Sequence, residues 1–214
     1  MMSRRRKYKM SQNIEKEWSH GTTCYYQPAV VGNGVLCIFE RPTTSEVQVG
    51  RPVVGDTGEH LCMLCEYMRN VDDGIMVSDI NDFCSRRMGI LNVSTLPLCD
   101  DPLADGKDAS GLNDCQIGEY RRMFEQRCDV KDAIAKANCI LCFGGLAAAM
   151  MNTIEKLLDG RDVKRIISYH LSGSATPWFS GESWDEKMRR LSVDIYTALS
   201  SASLVVDLRK GARS

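Results

Sequence analysis

The stretch Glu59-His60-Leu61-Cys62-Met63-Leu64-Cys65 is followed by Cys84 and answered downstream by Cys139-Ile140-Leu141-Cys142. It marks the joint between two differently patterned halves of the chain. Leu61, Leu64, Cys65 and Met68 recur at helical spacing after a Gly/Asp/Thr turn over 53–58. The pattern predicts a helix that ends near Asp72-Asp73-Gly74. Ser78 is placed to cap a second helix over 79–88, which carries Ile80, Phe83, Cys84 and Arg87.

Upstream of this joint the pattern is that of β structure. Tyr25, Tyr26, Val30 and Val31 form one apolar run and residues 35–39 another, with Gly32-Asn33-Gly34 between them as a hairpin turn. Glu46-Val47-Gln48-Val49 alternates polar and apolar residues and reads as a further extended segment. The loop-rich stretch 91–111 follows the cysteine-rich middle, with two prolines and four aspartates. Its Asp101, Asp105 and Gly106 outline a calcium loop that lacks the glutamate at the twelfth position, where Leu112 stands.

Downstream the pattern turns helical. Asn113 or Asp114 caps a stripe of Ile117, Tyr120, Phe124 and Cys128, and Asp129 continues it through Ile134, Ala137 and Leu141. Gly144-Gly145 interrupts before a helix over 146–158 that Asp159-Gly160 stops. Val163, Ile166, Ile167 and His170 predict one more short helix, and 172–181 a loop. Ser183 and Glu186 form a capping box ahead of Trp184, Met188, Leu191, Ile195 and Leu199. Leu204-Val205-Val206 reads as a closing strand.

The fold class expected is therefore α+β: an N-terminal antiparallel β-hairpin region, a cysteine-rich middle and a helix-rich C-terminal half. The expected organisation is a flexible basic arm over 1–12, a hairpin and cysteine-rich part over 13–110, and a helical part over 111–214 packed with it as one domain.

Composition narrows the function classes. With 27 basic and 28 acidic residues the net charge is −1, so no global field steers the chain onto a polyanion. The local exception is Arg4, Arg5, Arg6, Lys7 and Lys9, a candidate nucleic-acid-binding arm or nuclear localisation signal. The basic start lacks the apolar core of a secretory signal, and no stretch reaches the roughly 20 apolar residues of a membrane span. A cytoplasmic or nuclear, non-secreted protein is expected, in which the ten cysteines act as thiols or metal ligands instead of disulfides.

Two Cys-x-x-Cys pairs point to zinc, which takes four thiolate or imidazole ligands in a tetrahedron. Cys62, Cys65, Cys139 and Cys142 would clasp the two halves of the chain together. A local set would use Cys62, Cys65, Cys84 and either His60 or Cys99. No nucleophile elbow, P-loop, dinucleotide fingerprint or His-Glu-x-x-His motif occurs, so no catalytic residues are assigned.

These features together lead to the expectation of an intracellular binding or assembly protein. Structural zinc stabilises it, and it acts on a protein partner, a second copy of itself or nucleic acid. The alternative is a thiol-dependent enzyme, either a cysteine hydrolase or a redox protein, with His20 or His170 partnering a cysteine.

Overall fold

The computed structural model describes residues 23–29, 34–71, 88–171 and 183–213, and these carry six strands in one sheet. In chain order the elements are β1 (Tyr26–Gln27), β2 (Val35–Phe39), α1 (Thr44–Val49), α2 (Asp56–Val71) and β3 (Gly89–Asn92). After a 3-10 turn at Ala109–Gly111 come α3 (Asp114–Gln126), α4 (Cys128–Lys136), β4 (Cys139–Phe143), α5 (Gly145–Ala149) and α6 (Met151–Leu158). The chain closes with β5 (Lys164–Ser168), α7 (Trp184–Ser200), β6 (Val205–Asp207) and a 3-10 segment, Leu208–Arg213.

The strand order is β1-β3-β2-β4-β5-β6. Every neighbouring pair is parallel except β1 with β3, in which Tyr26 faces Leu91 and Gln27 faces Ile90. The mixed α+β class and the helix-rich C-terminal half are as the sequence leads one to expect. The antiparallel element lies at the N-terminal edge, where β3 is inserted between the two N-terminal runs. The Gly32-Asn33 turn and the helix over 79–87 lie outside the described residues, as does the basic arm.

Side chains alternate across the sheet and build two cores. On one face Cys37, Phe39, Cys139, Leu141, Phe143 and Ile166 pack against Leu61, Leu64, Cys65 and Met68 of α2 and Met188, Leu191 and Ile195 of α7. On the other face Leu36, Ile38, Ile140 and Cys142 pack against Tyr120, Phe124, Val130 and Ile134 of α3 and α4 and Leu146, Ile154 and Leu158 of α5 and α6. A strand covered on both faces must be apolar at every position. β2 and β4 are buried at all five residues.

That double burial explains two departures from the expected elements. Cys139–Phe143 and Lys164–Ser168 are strands of the sheet interior where the apolar periodicity predicts helix. A continuous apolar run looks alike in both settings, and length decides between them. Residues 46–49 depart in the opposite sense, because they are helical. The Thr43 hydroxyl accepts the Glu46 N–H at 3.2 Å, while the Glu46 carboxylate accepts the Thr43 N–H at 2.5 Å. The same carboxylate takes the N–H groups of Val53 and Val54. Burial pushes the Glu46 carboxyl above its ordinary value, with these backbone bonds pulling the other way.

No helix among the described residues is long and apolar enough to cross a membrane.

Candidate functional site

The sheet has one place where successive connections leave in opposite directions. From β2 the chain returns beside it as β3, then crosses to its other side as β4 and proceeds outward to β5 and β6. In an open parallel sheet such a reversal leaves a crevice outside the carboxyl ends of the central strands, because the flanking loops diverge there. The residues just past those ends are Glu40 after β2, Gly144 and Gly145 after β4, and Tyr169 and His170 after β5.

Glu40 and His170 flank one point. A Cβ at Gly144 would lie far inside contact distance of Glu40 Oε1, 2.8 Å from Glu40 Cδ and 2.9 Å from His170 Cδ2. Gly144 therefore serves twice, with a φ of 98° that turns the chain from β4 into α5 and a bare Cα that lets both side chains approach the same point. Glu40 Oε1 accepts the Leu146 N–H at 3.0 Å. The His170 ring meets Phe39 edge-on, with centroids 6.4 Å apart, and Phe39 stacks on Phe143 at 5.0 Å.

This aromatic floor sets the chemistry of His170. Burial pushes its pKa below the ordinary histidine value, and the Glu40 charge offsets part of that effect. The imidazole is thus neutral at physiological pH, with a carboxylate beside it. Both residues are half-buried. Two residues before His170, the Ser168 hydroxyl is fully buried and has no hydrogen-bond partner among the described residues.

A second polar group lies past the ends of β2 and β3. Asp101 Oδ2 accepts from the Tyr120 hydroxyl and from the Ser94 hydroxyl, each at 2.7 Å, and Oδ1 accepts the Leu103 N–H at 3.1 Å. Arg41 Nε approaches Asp101 Oδ2 at 3.4 Å, and its Nη2 donates to the Tyr120 oxygen at 2.9 Å. Burial alone would raise the Asp101 pKa, but the bonds from Tyr120, Ser94 and Leu103, with the Arg41 charge, hold it below the ordinary carboxylate value. The Tyr120 hydroxyl is pushed up to about 12, first by burial, so it stays a donor. Asp101 has donors on both oxygens, which makes this group a structural brace past the ends of β2 and β3.

The sequence-derived metal candidates are distributed differently. Cys62 and Cys65 sit on α2, half-buried and buried respectively. Cys139 and Cys142 lie three apart on β4 and enter opposite cores. Cys65 and Cys139 share a core with Cys37, whose Sγ is 3.5 Å from Met88 Sδ, whereas Cys142 Sγ lies 3.7 Å from Met151 Sδ across the sheet. Burial raises the Cys37 thiol well above its ordinary value, and Cys142 is pushed up to about 12. His60 Nδ1 faces the Leu171 carbonyl at 2.5 Å. The exposed Cys99 lies in the loop after β3. Among the described residues no group of three or more His, Cys, Asp or Glu side chains is placed to hold a metal ion. Cys84, Arg4, Arg5, Arg6, Lys7 and Lys9 lie outside the described residues.

Sequence reasoning passed over Glu40, Arg41, Tyr120 and Gly144 as site residues, read Asp101 only as part of an incomplete calcium loop and weighed His170 as a partner for a cysteine. A common signal was present, in that Glu40-Arg41, Gly144-Gly145 and His170 each stand at or just past the end of an apolar run. What the fold defines is a layered protein with an open, mostly parallel sheet and a reversal of strand order at its centre. No protein-family model matches the chain, and no curated protein is significantly similar to it in sequence.

Proposed function

We propose that this protein binds a small polar ligand in the crevice at the carboxyl ends of β2, β4 and β5, with Glu40 and His170 as the groups that read it. The single observation that carries the reading is the close approach of both side chains to Gly144, at the point where the strand order reverses. A carboxylate offers only acceptors, and a neutral imidazole offers one acceptor nitrogen and one donor N–H. Such a pair favours ligands that present N–H or O–H donors and disfavours anions. A neutral imidazole backed by a carboxylate is also equipped to take a proton from the bound molecule or from water.

The test is a thermal-shift comparison of polyols, primary amides and amines against carboxylates and phosphates. Donor-bearing compounds are expected to raise the melting temperature of the wild-type protein. Glu40→Gln keeps an acceptor for Leu146 and His170→Ala removes the imidazole. Each is expected to weaken binding of a hit by about 5- to 150-fold, the equivalent of one buried hydrogen bond of about 1–3 kcal/mol. Hits that bind equally well to both variants would overturn the reading.

A further inference from the structure

His60 sits on α2, away from the crevice, yet it reaches the segment that presents His170. Its Nδ1 lies 2.5 Å from the carbonyl oxygen of Leu171, the residue after His170. Its ring stacks on Trp184 at the start of α7, with centroids 4.3 Å apart and planes 16° from parallel. The Lys187 ammonium also lies over that indole, 5.1 Å from the ring centroid. Leu171 itself is fully buried in the core shared with α2 and α7.

β5 ends at Ser168, so the carbonyl of Leu171 is beyond the sheet ladder, and a buried carbonyl needs a donor from elsewhere. His60 is in position to provide it. The stack on Trp184 fixes the plane of the ring and so the direction in which Nδ1 points.

We infer that His60 is a positioning residue: it donates its Nδ1 proton to the Leu171 carbonyl and thereby holds His170 against Phe39, Gly144 and Glu40. The role rests on the ligand site proposed above, but the link is visible without any ligand. It also fixes a tautomer, because only a ring protonated on Nδ1 can donate to a carbonyl.

Two measurements test it on the full-length protein. In ¹⁵N-resolved NMR at pH 9, the ring of His60 is expected to carry its proton on Nδ1. A proton on Nε2 with a bare Nδ1 would overturn the inference in the wild-type protein itself. The second measurement is carbethoxylation of His170 by diethyl pyrocarbonate, followed by peptide mapping. His60→Ala is expected to speed modification of His170 by about tenfold, the release that loss of one hydrogen bond of about 1.4 kcal/mol would give. His60→Asn, whose amide nitrogen falls near the place of Nδ1, is expected to restore the slow rate.

An unchanged His170 rate in folded His60→Ala, or an equally fast rate in His60→Asn, would refute the positioning role. Should His60→Ala fail to fold, the tautomer and the asparagine variant still decide. Neither readout involves a ligand, so failure of the ligand site and failure of this link are separately visible.

Discussion

Asp101→Ala is expected to destabilise the protein by about 3–5 kcal/mol, because it leaves the Arg41 guanidinium without its carboxylate in a site that water barely reaches. The Arg41 and Asp101 side chains are 7% and 5% exposed. The same change removes the acceptor for the hydroxyls of Tyr120 and Ser94 and for the Leu103 N–H. Urea unfolding reads the loss as a lower midpoint. Asp101→Asn, which keeps the shape and one acceptor oxygen, should fall between the two.

The same carboxylate makes a pH-dependent contribution. Its folded pKa is depressed, so its stabilisation is complete above the unfolded value of about 3.9 and is lost as pH falls through the folded value. Wild-type protein should therefore lose stability across that acid window, and the alanine variant should lose less there. Equal acid limbs in the two proteins would show that Asp101 is not the group responsible.

Gly144→Ala is the second change with a large expected effect. A non-glycine residue at a φ of 98° costs of the order of 1–3 kcal/mol in backbone strain alone. The added methyl would also push Glu40 and His170 apart, since both border the space it would fill. The expected result is a lower melting temperature together with loss of binding of every hit that depends on Glu40. Gly106→Ala is the control. Gly106 has a φ of 70° with nothing within 4 Å of its missing Cβ, so it carries the strain without the collision and should leave binding intact. Loss of binding in both variants, or in neither, would detach the site from the Gly144 approach.

Much of the architecture is legible where local chemistry is self-contained. Ser183 and Glu186 at the head of α7, the cap at Asn113 at the head of α3, and the stop at Asp159 are short-range devices, and each forms as the sequence implies. Cys139–Phe143 was harder to read, because residues buried on both faces lose the period that separates strand from helix. Residues 46–49 misled for the converse reason. Their alternation is real, but Thr43 and Glu46 cap each other and enforce a helix.

The site was less legible than the fold. Glu40, Gly144 and His170 are 104 and 26 residues apart along the chain, and only the strand order brings them together. Cysteine spacing drew attention because it is a local signal. On a strand, however, an i, i+3 pair points to opposite faces, which is why Cys139 and Cys142 part into different cores.

The measurement that bears most directly on the ligand site is amide chemical-shift mapping of a donor-bearing hit on isotope-labelled protein. The account expects the perturbed amides to cluster at Glu40, at Gly144 to Leu146 and at His170 and Leu171. Perturbations confined to another part of the surface, such as the shallow depression lined by Asp194, Thr197, Ser201 and Leu208, would contradict it.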